Sequence, residues 1–417
     1  MAPRLLLITQ WFDPEPTTKG LLFARELSNR GFDVEVVTGF PNYPGGRLYP
    51  GYRIRGIQRE VVDGVRITRL PLYPSHNHSR VGRALNYLSF GLAVVAYGLL
   101  GAERPSVMYA YHPPLTVGIA GALIRLVRRV PLVLDIQDVW PESLQSTGMI
   151  RSRGVLKGIG WLCDLVYRMA DQIVVLSPGF RTLLIDRGVP DSKLNVIFNW
   201  ADEHALVPDE MFTRPDNFPK RASFVVLFAG NMGSAQALES AVEAAAKLER
   251  SGESVDFVFL GTGVRIAAIE ALAASLRLSN VHFLPPVPMS QVGAYLAAAD
   301  ALLVHLRRDP LFEITIPSKT QAYLAAGRPI IMAVLGDAAR MIDRSGGGVT
   351  ATPEDPESLV HAVRTIMSMD PAERADMGRR GRAFYTSQLS MKVGIDSFAI
   401  LFRSLTSANE SGSRTAR

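Results

Sequence analysis

The 417-residue chain contains one cysteine, Cys163, so no internal disulfide can form, and no Cys/His zinc pattern exists. Cys163 lies in the apolar run WLCDLVY and reads as a buried structural residue. Other absences narrow the chemistry. No Asp-x-Asp occurs, which excludes that carboxylate pair as a metal site. There is no Gly-x-Ser-x-Gly for a hydrolase nucleophile, no Walker lysine motif and no full Gly-x-Gly-x-x-Gly signature. The start, MAPRLLLITQWF, turns polar too soon for a secretory leader; it reads as a first strand, and a cytoplasmic location is expected. Charged residues make up only 20% of the chain and hydrophobic ones 47%, enough to bury large cores. The net charge of +6 fits an anionic ligand, a membrane surface or nucleic acid, but the basic residues form no long run. They recur in the first half as Arg80 and Arg83, Arg125, Arg128 and Arg129, and Arg151, Arg153 and Lys157.

What is present is a repeated alternation of short apolar runs with helical stretches. Candidate strands are 3–9, 33–38, 65–70, 106–110, 131–136, 172–176 and 194–197, then 223–229, 255–260, 281–284, 301–305 and 329–334. These runs are continuously apolar rather than alternating, as expected of parallel strands buried on both faces. The reading is an α/β chain of two Rossmann-like, doubly wound parallel-sheet domains facing a cleft. Residues 1–200 form the first domain. The stretch 201–222, polar with three prolines, is a linker. Residues 223–385 form the second domain, a helix over 386–405 crosses back to the first, and 406–417 is a disordered tail. The segment 84–102, ALNYLSFGLAVVAYGLLGA, has no charge and nearly spans a bilayer. Asn86, Ser89 and its place between two strands favour a buried crossover helix; a helix lying in the membrane interface is the other reading.

Three stretches of the second half carry candidate chemistry. The strand ending in Gly230, Asn231, Met232 and Gly233 runs into a helix, a geometry that lets backbone approach a phosphate. A second glycine loop, Gly261 to Gly263, follows the next strand. In DPLFEITIPSKTQAYLAAGRPIIM, Glu313, Pro317, Ser318 and Lys319 stand at the mouth of a helix that ends at Gly327. A lysine in a helix's first turn is mildly unfavourable unless an anion shares its position. Arg307 and Arg308 precede it. In the first half, Gln10, Asp13, Glu15, Lys19, His112, Asp135, Asp138 and Glu142 fall at strand ends. His112 and Asp138 could share a crevice and exchange a proton, or could simply cap and brace the backbone.

FAGNMGSAQALES, FLPPVPMSQVGAYLAAAD and PLFEITIPSKTQAYLAAGRPIIMAVLGDAARMI together resemble the family-four (group 1) glycosyltransferases with the two-domain B fold. QWFDPEPTTKGLLFARELSNRGFDVEVVTGFPNYPGG and LDIQDVWPESLQSTGMI are similar to a bacterial surface-polysaccharide branch that includes L-fucosamine transferases of colanic acid, O-antigen and capsule synthesis. The resemblance spans nearly the whole chain to about residue 400. It implies a UDP-sugar donor on the second domain, a lipid-linked saccharide acceptor on the first, retention of configuration, no metal and no nucleic-acid partner. The diphosphate would lie over Gly230, Asn231 and Gly233, with Gly261, Gly263 and Ser318 beside it and Lys319 and Arg307 or Arg308 neutralising it. Val287, in the 285–288 loop, would contact the base. Glu313 would face the sugar, His112 would lie near it, and Asp138 near the acceptor hydroxyl. The family's second glutamate is Gln321 here; an amide can still bond a ribose hydroxyl. Such a branch acts on membrane-borne acceptors, so contact with the cytoplasmic face of the inner membrane is expected. A UDP-sugar epimerase on the same fold and a non-catalytic nucleotide-sugar-binding protein are the alternatives.

Overall fold

The computed structural model describes residues 2–75, 80–146, 148–150, 152–206, 213–219 and 223–415. Arg151, residues 207–212 and 220–222 of the expected linker and residues 416–417 lie outside the described residues. The chain forms two compact units. The first comprises the residues up to Leu176, Phe180–Ile197 and the chain from Gly394; the second comprises Ser177–Gly179 and Phe198–Val393.

The first unit is built on an eight-stranded sheet. Its strands are β1 (Arg4–Ile8), β2 (Asp33–Gly39), β3 (Gln58–Val62), β4 (Val65–Leu70), β5 (Val107–His112), β6 (Leu132–Ile136), β7 (Gln172–Val175) and β8 (Leu194–Val196). Their order is β3-β4-β2-β1-β5-β6-β7-β8, and all pairs are parallel except β3–β4. The direction of winding reverses between β1 and β5, so the carboxyl ends of these two strands flank a switch point. The second unit has six strands: β9 (Phe224–Asn231), β10 (Val255–Thr262), β11 (Val281–Leu284), β12 (Ala301–His305), β13 (Ile330–Ala333) and β14 (Gly348–Thr350). They run in the order β11-β10-β9-β12-β13-β14, all parallel, with the reversal between β9 and β12. Along β9, Val225 and Leu227 enter one core cluster and Phe224, Val226 and Phe228 the other. Side chains alternate across a strand, so the continuous apolar run buries both faces of the sheet.

Four sequence expectations are corrected. β3 was not expected: QREVV is an edge strand, half-charged and largely exposed, and pairs antiparallel in a hairpin with β4. β14 is three residues within a glycine run, too short to register as an apolar segment. The expected linker carries a short helix, Glu203–Leu206. Asp202 caps it through Ala205 N–H at 3.2 Å, and the Glu203 carboxylate accepts from the Tyr385 hydroxyl at 2.9 Å and from Met391 N–H at 2.7 Å. Instead of ending at 405 before a disordered tail, the last helix runs Met391–Thr415. No proline interrupts 406–415, and propagating a nucleated helix is cheap.

The apolar 84–102 segment lies in the helix Arg80–Leu100, which is long and apolar enough to cross a membrane but links β4 to β5. Phe90, Val94 and Tyr97 are buried, and Gly98 admits Ile124 of the helix Leu115–Arg128. Asn86 donates to Tyr73 O at 2.7 Å and accepts from Gln10, fixing the helix to the switch-point end of the sheet. The opposite face is not covered. Val81, Leu85, Leu88, Leu92 and Leu100 are exposed at helical spacing, Leu92 to 71% and Leu100 to 89%. Leu126 and Val127 on the next helix, and Val155, Trp161 and Leu165 on Arg153–Met169, are exposed as well. The crossover reading holds for one face of the helix only.

Candidate active site

In the second unit, β9 and β10 pair so that Gly261 stands beside Gly230 and Thr262 beside Asn231. Gly230 and Gly261 have φ of 129° and 137°. A side chain at 261 would run into the Gly230 carbonyl, and one at 263 into the Met232 backbone, so only glycine allows the two loops this approach. Met232 N–H donates to Thr262 O at 2.8 Å, and Gly233 N–H to the Gln236 carboxamide at 2.9 Å. Those two amides are therefore already occupied. The following helix begins only at Glu239, so the expected anion seat at that helix start is displaced from the glycine loop.

The helix Ser318–Ala326 takes its place. It follows β12, across the switch point from β9, and has no side-chain cap. Lys319 and Tyr323 are four residues apart and so share a face. That face meets β9. β12 pairs with β9 only at Val226 and Leu227, which leaves Ala229 without a strand partner on that side. The Tyr323 hydroxyl serves it, accepting from Ala229 N–H at 2.9 Å and contacting its carbonyl at 3.3 Å. One turn earlier, Lys319 lies against Gly230: a methyl group there would stand 3.0 Å from Cε and 3.1 Å from Nζ. The ammonium rests 4.7 Å from the centre of the Phe228 ring. Among the described residues it has no carboxylate partner within 4.0 Å. Burial without compensation pushes its pKa down to about 8. An unpaired, partly desolvated cation at a helix N-terminus is a site for an anion.

Around it, Glu313 ends the short helix Pro310–Glu313 and its carboxylate is exposed. Its backbone is approached so closely by Gly336 that no side chain could stand there. Ser318 is exposed beside Lys319. The Arg307 guanidinium is held by Asp309 at 3.2 Å and lies over Phe312, so it is not a free cation. Val287 is half-buried in the loop after β11. Gln321 is 4% exposed. With its amide nitrogen facing the helix start, it donates to Pro317 O at 2.9 Å and Ser318 O at 3.3 Å. A glutamate there would set a carboxylate against carbonyl oxygens. That is a physical reason for the amide, and it turns the side chain toward its own helix.

In the first unit the strand-end polar residues mostly brace the fold. Lys19 and Asp135 form an ion pair with both side chains inaccessible, joined by the Tyr109 hydroxyl and by Gln137 at 2.7 Å. Phe398 of the last helix covers Lys19 at 4.8 Å. Glu15 accepts from the amides of Phe12, Asn42 and Tyr43, and Asp13 from that of Leu21. Glu142 pairs with Arg187. Asp138 remains exposed after β6, yet the surrounding protein pushes its carboxyl pKa up by displacing hydration. His112, at the end of β5, is fully buried beside Trp140 and Tyr167, and neither ring nitrogen has a partner among the described residues. Burial pushes its pKa down to about 4, so the ring is neutral at pH 7. The expected proton exchange with Asp138 is not available to an imidazole that solvent does not reach.

This gives a stability prediction. An unfolded histidine takes up a proton near pH 6.5, whereas the folded one resists until about 4. Between those values only the unfolded chain is protonated, so stability falls as the pH falls, by about 3 kcal/mol in all. Urea unfolding of the wild type should lose stability between pH 6.5 and 4.5 faster than that of His112→Gln. Parallel slopes would contradict the assignment.

Beyond this geometry, the fold itself is shared. HepE from Anabaena, solved with UDP and glucose, superposes with a TM-score of 0.67 at 16% identity, covering 96% of this chain and 100% of its own. The fold is thus the two-unit B type of the glycosyltransferases. Residues 21–200 match the family described as glycosyl transferase 4-like domain, and 223–369 match glycosyl transferases group 1. The chain belongs to the group 1 glycosyltransferases. It is 26% identical to a Pseudomonas aeruginosa protein named as a glycosyltransferase, WbjE, over 81% of this chain and 84% of that protein. It is 27% identical to WcaI of Escherichia coli K12, named for colanic acid biosynthesis, over 82% of this chain and 86% of that one.

Proposed function

We propose that this glycosyltransferase moves a sugar from a UDP-sugar to a lipid-linked saccharide, with retention, in the synthesis of a bacterial surface polysaccharide such as O-antigen or capsule. The donor sugar in this reading is an N-acetylated deoxyhexosamine such as L-FucNAc. The carrying observation is Lys319, an unpaired cation pressed against Gly230 at the start of a helix. HepE, of the same fold, was solved with UDP and glucose, which supports a uridine nucleotide as the occupant. The diphosphate lies between Lys319, Ser318 and the glycine loop, the base near Val287, and the sugar near Glu313. As the bond from the anomeric carbon to the diphosphate breaks, charge grows on the leaving oxygen, and Lys319 with the helix start stabilises it. The acceptor oxygen bonds to the same face of that carbon and gives its proton to the departing diphosphate, so the products are the glycosylated acceptor and UDP. Asp138 stands on the acceptor side, while the wholly buried His112 ring makes no contact with the sugar. Charge neutralisation rests on Lys319 and the helix, with no metal in the scheme.

The acceptor's lipid gives the exposed apolar faces a role. The helices Arg80–Leu100 and Leu115–Arg128 carry no acidic residue, while Arg129, Arg153, Lys157 and Arg168 are exposed nearby. Apolar side chains among cations are what an anionic membrane surface takes up. The protein in this reading is peripheral on the cytoplasmic face of the inner membrane. Incubation with a panel of UDP-sugars and an undecaprenyl-diphosphate-linked monosaccharide tests the whole reading. One donor should yield a retained glycosidic product and UDP; epimerised donor without transfer, or an unchanged panel, would contradict it.

A further inference from the structure

His305, the last residue of β12, is 1% exposed and belongs to none of the groups placed around the donor above. Its ring lies between two backbone segments of the second unit. Nδ1 is 2.7 Å from the Gln236 carbonyl, which can only accept. Nε2 is 3.1 Å from Glu354 N–H, which can only donate, and 3.0 Å from the Ser240 hydroxyl. Both contacts are satisfied only by the neutral ring with its proton on Nδ1. Each touches a turn in which a non-glycine residue holds a left-handed conformation: Ala237 at φ 43° and Glu354 at φ 55°. For alanine that region is costly, and it persists only where the surroundings enforce it.

The segment held in this way is the exit of the glycine loop. The Gln236 carboxamide accepts from Gly233 N–H at 2.9 Å, Arg307 N–H donates to Ala235 O at 2.8 Å, and the Ser240 hydroxyl, 3.0 Å from both Ala237 O and His305 Nε2, has one proton to share between them. Gly233 lies three residues beyond Gly230, where Lys319 rests. Without the His305 bond, the 236–237 peptide would lose what holds Ala237 in its left-handed turn, and with it the support for the Gln236–Gly233 contact.

We propose that His305 is a positioning residue for the nucleotide diphosphate: by holding the Gln236 carbonyl and the strained Ala237 turn, it fixes the glycine loop in its binding form. This rests on the reading that the loop and Lys319 bind a UDP-sugar. The test is UDP affinity by calorimetry, with melting temperature measured alongside, for the wild type, H305A, H305N, H305Q and the double variant A237G/H305A. Asparagine places an N–H near the Nδ1 position and can keep the Gln236 bond; glutamine reaches toward Glu354 and cannot. H305A and H305Q should bind UDP at least tenfold more weakly, and H305N within threefold of wild type. Glycine at 237 takes the left-handed turn without strain, so A237G should restore most of the affinity lost in H305A. Affinities that follow melting temperature across the set, or a double variant no better than H305A, would overturn the proposal. If H305A does not fold, the contrast between H305N and H305Q decides it. A wild type that binds no UDP removes the parent reading and this one together; a wild type that binds UDP beside indifferent variants removes this one alone.

Discussion

Replacing Lys319 with alanine is expected to lower kcat/KM for the donor by about three orders of magnitude while leaving the fold intact. Among the described residues the ammonium has no carboxylate partner to leave behind, so its removal strands no buried charge there. It only opens space over Phe228 and beside Gly230. Tyr323, one turn on, keeps the helix tied to Ala229. The melting temperature should therefore shift little. The loss should fall mainly on kcat, because the charge that Lys319 meets grows as the sugar–diphosphate bond breaks. Lys319→Arg keeps a cation but cannot fit its planar fork in the same space, and should recover only part of the rate. A Lys319→Ala enzyme within tenfold of wild type would remove the site assignment.

The second large effect is expected at the membrane. Changing Leu85, Leu88 and Leu92 together to serine removes three exposed apolar side chains from the outer face of the Arg80–Leu100 helix. Each buried leucine is worth roughly 1.5–3 kcal/mol, and partial insertion realises a fraction of that, so binding to anionic vesicles should drop at least thirtyfold. Because these side chains face outward, the inner face with Phe90, Val94 and Tyr97 still packs the helix. Turnover with a short-chain, water-soluble acceptor analogue should stay near wild type, whereas turnover on vesicle-borne acceptor should fall. Cosedimentation with vesicles containing phosphatidylglycerol reads this directly, and added salt should weaken what the arginines and lysines contribute. No wild-type binding at low salt would contradict the docking face.

Much of the fold was legible because parallel strands buried on both faces leave continuous apolar runs, as in SFVVLFA and VDFVFL. β3 escaped because an exposed edge strand tolerates charge, and β14 because three residues in a glycine run carry no pattern. At the site, Lys319 stood out because a first-turn lysine opposes the helix dipole unless something anionic is present. Its floor, Phe228, and its brace, Tyr323, looked like ordinary core; their roles depend on where β9 and β12 splay, which no single sequence displays. The strand-end residues Lys19, Asp135 and Glu15 resembled catalytic groups in the chain but are consumed by internal bonds. Polar side chains in a βα loop look alike whether they face a ligand or the backbone. His305 gave no signal, because a lone histidine closing an apolar strand usually reads as core. Gln321, a departure from the family pattern, is explained by local geometry, since its amide donates to the carbonyls of its own helix.

The most direct measurement is the affinity for UDP as a function of pH in the wild type and in Lys319→Ala. The free lysine titrates near pH 8, because burial without a partner disfavours its charge, and a bound diphosphate raises that value. Binding by the protonated lysine should therefore be flat from about pH 7, above the titration of the terminal phosphate of UDP itself, to about 7.5, and weaken toward tenfold per pH unit above about 8.5. The alanine variant should bind more weakly throughout and show no such bend. A wild-type affinity that stays flat to pH 10, or a bend that survives in Lys319→Ala, would contradict the claim that Lys319 is the cation awaiting the diphosphate.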